Sequence, residues 1–213
     1  MITEYIPNYL YSEDLTIDQV NHQKLSGECL FLEELLNIRF KDAEKYVYGG
    51  DFKSVSFKNY NLFTFPSHNL MALYREIQRV IHPYLPHPNY MCQAWLNVYR
   101  EGQSIGWHHH WEADFESYHG FYCVDVETTS SETAYRLRDD PDKIYKVPSR
   151  NGRLVFGKSS NDQHTSSIWR CTTPRITIAF DIVPVQGVQL SAGIDDKEVF
   201  INGYKVNHYI PFK

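Results

Sequence analysis

The chain has 213 residues, of which 42% are hydrophobic, and this length suits a single domain, 1–213, with a sizeable core. Its formal net charge of −5 disfavours duplex nucleic acid as a partner, because phosphate binding needs clustered lysines and arginines. No apolar run approaches the length of a membrane span and the N-terminus has no signal-like segment, so we expect a cytoplasmic location and no membrane partner.

The first part of the chain, residues 1–91, is predicted to support the domain with helices and strands. Residues 28–40 fit a short helix or a buried strand, and their periodicity does not decide between the two. Residues 46–66 contain a Gly-Gly break followed by β-branched and aromatic residues, which predicts strands at the edge of a sheet. The clearest helix begins after Ser67, a suitable N-cap, and ends at Pro83. Its apolar face predicts packing against the outside of a sheet.

The central part, about residues 92–184, is predicted to form the β-rich core. Extended patterns cover 92–99, 118–127, 134–138, 143–148, 152–157 and 175–184. Several short strands at this spacing predict a sandwich or a barrel, and the aromatic content of 15% agrees with a β-rich protein. In the last part, 185–213, Asn202-Gly203 lies between two β-rich runs and predicts a hairpin. That hairpin extends a sheet or mediates dimerisation, which leaves a homodimer open.

The most informative segment is GWHHHWEAD, residues 106–114. On a strand, His108 and His110 lie on one side and His109 on the other, so two imidazoles can meet one metal ion. Such a pair suits zinc, iron, copper or nickel alike. The simpler interpretation is a loop with three polar side chains.

Two further features follow downstream. An apolar strand, 153–156, runs into a polar turn and then His164. Arg175 begins an apolar strand, where a guanidinium is suited to hold a carboxylate through two hydrogen bonds; the alternative is an arginine in solvent at a strand end. Upstream, Asn97 and Tyr99 lie on one face of a strand and can reach the same small ligand.

The order of these segments, NVYREGQSIGWHHH, then GRLVFG…H, then RITIAFD, resembles the Fe(II)/2-oxoglutarate-dependent oxygenase superfamily over about residues 92–184. The upstream part resembles the N-x-Y-x-x-G…H-x-D pattern of the alkylation-repair dioxygenases. The downstream part is similar to the prolyl hydroxylases, and the W-H-x-H run to uncharacterised oxygenases of phages and bacteria. The resemblance implies a mainly β protein with flanking helices, folded as a double-stranded β-helix (a jelly-roll or cupin-like barrel).

The resemblance also implies roles for individual residues. His108 and His164 match metal-ligand positions, and Arg175 matches the arginine that binds the distal carboxylate of 2-oxoglutarate. Thr177, Tyr99 and Asn97 match other positions near the co-substrate, and Trp107, Trp111 and Tyr122 are expected to wall the cavity.

The chain departs from the pattern at its second metal ligand, which is normally a carboxylate. Here that position is His110, so one interpretation is a metal held by three histidines. The other is a shifted register in which His110 is the first ligand and Glu112 the second, as a His-x-Glu pair, and Asp114 is a third candidate in the segment. The spacing from Asn97 to His108 favours three histidines.

The function that the resemblance implies is an Fe(II)- and 2-oxoglutarate-dependent dioxygenase. It would use O₂ to hydroxylate a peptide residue or a small molecule and would release succinate and CO₂. Two alternatives remain open: a cupin-like three-histidine dioxygenase that uses no 2-oxoglutarate, and a non-enzymatic metal-binding barrel.

Overall fold

A computed structural model describes residues 2–41, 46–47, 53–54, 59–110, 116–126, 131–159, 161–185, 188–190, 199–201, 204–205 and 208–212. Its helices are α1 (His22–Arg39) and α2 (His68–Ile81). The strands are β1 (Thr3–Ile6), β2 (Leu10–Asp14), β3 (Tyr46–Val47), β4 (Lys53–Ser54), β5 (Tyr90–Tyr99), β6 (Ile105–His108), β7 (Tyr118–Asp125), β8 (Glu132–Leu137), β9 (Asp140–Pro148), β10 (Arg153–Lys158), β11 (Asp162–Ser166), β12 (Arg175–Pro184), β13 (Val188–Leu190), β14 (Val199–Ile201), β15 (Tyr204–Lys205) and β16 (Ile210–Phe212). Neither described helix is long and apolar enough to cross a membrane.

Two antiparallel sheets form the body of the fold. The larger has seven strands in the order β1-β2-β10-β7-β12-β5-β16, and the smaller has four in the order β6-β11-β8-β9. The sheets face each other, since the side chain of Arg175 on β12 reaches Ser166 on β11 and Thr133 on β8. The prediction of a mainly β jelly-roll with flanking helices is confirmed.

The two helices support the larger sheet and its edge. Residues 28–40, which the sequence left between helix and strand, lie mostly in α1, and this helix packs against β5 and β7. The prediction for α2 is confirmed: the Ser67 side chain accepts a hydrogen bond from the Leu70 amide, as an N-cap does. The Tyr74 hydroxyl of α2 donates to the Pro211 carbonyl on β16, which joins this helix to the edge of the larger sheet.

The prediction of strands over 46–66 is wrong for residues 59–66, the described part of its second half. Among the described residues of this segment, β3 pairs with β4, and residues 62–64 form a 3-10 turn. The reason is Asn61, whose side-chain oxygen accepts from the Phe63 amide and whose amide donates to the Cys92 carbonyl. The Asn61 side chain thereby links the turn to β5.

Several strands were not predicted from the sequence, among them β1, β2 and β11. β1 and β2 extend the larger sheet, although the N-terminal residues mix apolar and acidic side chains without clear alternation. β11 was predicted as a polar turn because all five of its residues are polar. Its alternation is visible only as burial, since Asp162, His164 and Ser166 are all buried.

The C-terminal residues contain the pairing that the sequence predicted for a hairpin. β14 and β15 are antiparallel neighbours, as in the predicted hairpin, while its turn, Asn202-Gly203, lies outside the described residues. β16 then pairs with β5 at the edge of the larger sheet.

Gly120 on β7 occupies a position where a side chain does not fit. A Cβ atom there would lie 2.4 Å from the Val155 carbonyl oxygen and 2.6 Å from the Phe180 ring. We expect Gly120→Ala to lower the free energy of unfolding by about 1–3 kcal/mol, the usual cost of overpacking. Urea denaturation measures the effect.

Gly27 is the matched control, because it lies on the exposed side of α1 and a Cβ there meets nothing within 4 Å. Gly27→Ala should raise the free energy of unfolding by about 0.5–1 kcal/mol through helix propensity. Equal effects of the two substitutions would contradict the packing described for Gly120.

Candidate metal centre

Strand pairing brings three of the predicted histidines together. β6 and β11 are antiparallel neighbours with His108 opposite His164, and His110 follows two residues after the end of β6. The ring centres of His108 and His164 are 4.2 Å apart, and that of His110 lies 5.1 Å from His164. One nitrogen from each ring lies within 4.8 Å of the other two. This three-histidine set has the ligand type and the proximity of a transition-metal site.

Each ring of the three-histidine set is held through its Nδ1 atom. His108 Nδ1 lies 2.9 Å from the Gly106 carbonyl oxygen, His110 Nδ1 lies 2.7 Å from Asp181 Oδ1, and His164 Nδ1 lies 3.0 Å from Asp162 Oδ2. A carbonyl or carboxylate oxygen accepts the proton on Nδ1, so Nε2 carries the lone pair. The donor set therefore fits a divalent metal ion.

Three buried residues of this centre were missed by the sequence analysis: His119 on β7, Asp162 on β11 and Asp181 on β12. The His119 ring stacks on His164 at 4.2 Å with an angle of 9° between the planes. With these residues, two more sets have ligand atoms within 4.8 Å: His110, His119 and Asp181; and His119, Asp162 and His164. Polar residues inside the apolar strands 118–125 and 175–184 were the signal that could have found two of them.

Burial keeps most of these imidazoles neutral. Burial and the nearby His110 lower the pKa of His108 to about 4, and burial also lowers the pKa of His164 and His119 well below the ordinary value. His110 is the exception: burial opposes its protonation, but the charge of Asp181 and the hydrogen bond to it raise its pKa overall. Neutral imidazoles are the form that binds metal.

The raised pKa of His110 predicts how metal affinity depends on pH. As the pH falls, His110 gains a proton before His108 does, and an imidazolium has no lone pair for a metal. We expect Co(II) affinity to fall by up to roughly tenfold per pH unit once the pH is below the pKa of His110. Chelator competition from about pH 8 to about pH 5 measures this, and a flat profile would contradict it.

Arg175 lies near the three-histidine set, since it contacts Ser166, two residues beyond His164 on β11, and it is 2% exposed. Its guanidinium donates to the Ser166 and Thr133 hydroxyls and lies 5.0 Å from the centre of the Tyr99 ring. Its Nε has no hydrogen-bond partner, and no carboxylate in the described part of the chain forms an ion pair with the guanidinium. A buried cation without a counter-ion is costly, so this arrangement suits the binding of an anion.

The other residues predicted near the co-substrate lie along β5 and β12. In the register of these strands Tyr99 is opposite Arg175 and Asn97 is opposite Thr177. Strand alternation places Thr177 on the same side of β12 as Arg175. Trp95, which the sequence analysis did not select, stacks on the His110 ring at 5.6 Å and walls the histidines.

Two predicted cavity residues face elsewhere. Trp107 is 37% exposed, with the Arg136 guanidinium 4.3 Å from the centre of its ring. The Tyr122 hydroxyl forms a hydrogen bond with His22 of α1, 3.1 Å away. The expectation that they wall the cavity is therefore wrong, because each lies on the outward side of its strand. Trp111, Glu112 and Asp114 lie outside the described residues, so the alternative ligand Glu112 stays a prediction.

The sequence matches no protein-family model and no curated protein. Solved structures do share its fold. They include the non-haem α-ketoglutarate-dependent carbocyclase SnoK from nogalamycin biosynthesis (TM-score 0.60, 15% identity, 82% of this chain and 79% of that one). AviO1 from Streptomyces viridochromogenes Tue57 gives a TM-score of 0.59 at 14% identity over 84% and 90% of the two chains. A Pseudomonas putida prolyl-4-hydroxylase gives 0.52 at 13% over 83% and 85%. The chain thus has the jelly-roll fold found in 2-oxoglutarate-dependent non-haem oxygenases.

Proposed function

We propose that the chain, as a single domain of residues 1–213, is an Fe(II)- and 2-oxoglutarate-dependent dioxygenase that hydroxylates a peptide residue or a small molecule. The observation that carries the proposal is Arg175, a buried guanidinium without a carboxylate partner among the described residues, beside a set of three histidines. The fold shared with 2-oxoglutarate oxygenases supports it.

The spacing between the two features suits the co-substrate. Ser166, which accepts a hydrogen bond from Arg175, is two residues beyond His164 on β11. Residues two apart on a strand are separated by about 7 Å, which is comparable with the length of a five-carbon dicarboxylate. One end of 2-oxoglutarate can therefore bind a metal at His164 while its distal carboxylate binds Arg175.

Each residue then has a chemical task. His108, His110 and His164 hold the metal ion as neutral ligands, and Arg175 with the Thr133 and Ser166 hydroxyls orients the distal carboxylate. Trp95 covers the His110 ring and helps to exclude water. Bound Fe(II) and 2-oxoglutarate would supply the oxidising chemistry, in which O₂ yields succinate, CO₂ and a hydroxylated substrate.

A second candidate function is a three-histidine dioxygenase that uses no 2-oxo acid. It is favoured by the three-histidine set itself, which contains no carboxylate. This function does not explain why the guanidinium of Arg175 is buried, however, and for that reason we prefer the first function.

Anaerobic titration of the Fe(II)-loaded protein with 2-oxo acids separates the two functions. We expect 2-oxoglutarate to produce a weak visible metal-to-ligand charge-transfer band at low concentration. The matched compound 2-oxobutyrate lacks the distal carboxylate and should need a much higher concentration, because Arg175 then has no anion to bind. The proposal would be contradicted if no band appeared with either acid, or if the two acids bound with equal affinity.

A further inference from the structure

His110 is the point at which the chain departs from the oxygenase pattern, because it stands where that pattern has a carboxylate ligand. In the structure a carboxylate contacts the His110 ring but is not itself a member of the three-histidine set. Asp181 on β12 lies 2.7 Å from His110 Nδ1 and is 6% exposed. The His110 ring thus contacts this carboxylate through Nδ1, and its centre lies 5.4 Å from that of His108 and 5.1 Å from that of His164.

We propose that Asp181 is a positioning residue that supplies, through the Nδ1–H of His110, the negative charge absent from the ligand set. This inference rests on the proposed function only in that His108, His110 and His164 bind a divalent metal. A carboxylate that accepts the proton of a ligand imidazole orients the ring and makes its Nε2 a stronger donor.

The formal charges of the loaded centre support this role. A divalent ion and Arg175 carry three positive charges together, and a 2-oxoglutarate dianion offsets two of them. Neutral imidazoles leave the remaining charge uncompensated in a buried site, where an unbalanced charge is costly. Among the described residues, Asp181 and Asp162 are the buried carboxylates in contact with rings of the three-histidine set, and either of them can offset it.

Asp181 differs from Asp162 in the imidazole that it contacts. Asp162 lies 3.0 Å from His164 Nδ1, and His164 already matches a histidine in the oxygenase pattern. Asp181 instead contacts the one imidazole that replaces a carboxylate. The compensating charge is therefore assigned to Asp181, and Asp162 serves to orient His164.

The test is the Co(II) affinity of the metal-free protein, measured by chelator competition without 2-oxoglutarate. Asp181→Asn should weaken Co(II) binding by about 10- to 100-fold, the usual effect of losing such a carboxylate. Asp125→Asn is the matched control, because Asp125 is an exposed residue at the end of β7 whose side chain accepts from Ser26 of α1. Its affinity should equal that of the wild type.

The double variant His110→Asp/Asp181→Asn makes the test specific to charge. It returns a carboxylate to the ligand position and removes the outer one, so its affinity should recover to within a few-fold of the wild type. Recovery also shows that the Asp181→Asn substitution is compatible with folding. A double variant that binds no more tightly than Asp181→Asn would overturn the inference, and so would wild-type affinity in Asp181→Asn alone. A wild type that binds no Co(II) would overturn the proposed function as well.

Discussion

Replacing Arg175 with alanine is expected to abolish tight binding of 2-oxoglutarate while Fe(II) binding persists. The guanidinium is buried and has hydroxyl partners but no ion-pair partner in the described parts of the chain, so the distal carboxylate would be its counter-ion. Losing one partner of such a buried charge pair costs about 2–5 kcal/mol. This corresponds to a loss of affinity of roughly 30-fold to 4,000-fold. Anaerobic titration of the charge-transfer band measures it.

Two further variants make the Arg175 result interpretable. Arg175→Lys keeps the charge but loses the paired N–H donors, and we expect an intermediate affinity. Arg170→Ala removes an exposed arginine from the segment between β11 and β12 and should leave the titration unchanged. If Arg175→Ala binds 2-oxoglutarate as the wild type does, the anion site is not at Arg175.

Replacing His164 with alanine is expected to produce the second large effect, a loss of metal binding of more than about 100-fold. Loss of an outer carboxylate alone costs about 10- to 100-fold, and removal of a ligand should cost more. His164 lies opposite His108 and is 6% exposed. Because the position is buried, we do not expect solvent water to take the place of its nitrogen readily. Chelator competition gives the affinity, and circular dichroism verifies that the variant folds.

Two histidine variants define which set of ligands is used. His68→Ala removes an exposed histidine at the start of α2 and should not change metal affinity. His119→Ala removes the residue common to the two other candidate sets and should weaken binding far less than His164→Ala. Equal losses in His119→Ala and His164→Ala would place the metal among His119, His164 and Asp162 instead.

The sequence predicted most of the framework because local patterns determine it. The six predicted extended segments and the capped helix α2 carry residue patterns and boundary residues that can be recognised without tertiary contacts. β11 lacked that signal: its inward face is Asp162, His164 and Ser166, and a polar inward face looks like a turn until the opposite strands are known.

The candidate site was predictable where spacing along the chain was informative, and not where strand pairing was needed. The oxygenase family pattern has its site residues in a fixed order along the chain, and four residues here follow that order: His108, His110, His164 and Arg175. His119 and Asp181 come together because β7 and β12 pair with these two residues directly opposite. That register is a property of the folded sheet, so no local spacing predicts it.

The central claim is tested most directly by succinate formation from 2-oxoglutarate in Fe(II)-loaded protein, with a panel of peptides and small molecules as substrates. We predict succinate that requires Fe(II), O₂ and 2-oxoglutarate together, that rises with a suitable substrate and that disappears in His164→Ala. Tightly held zinc that resists chelators, with no Fe(II)-dependent succinate under any of these conditions, would contradict it.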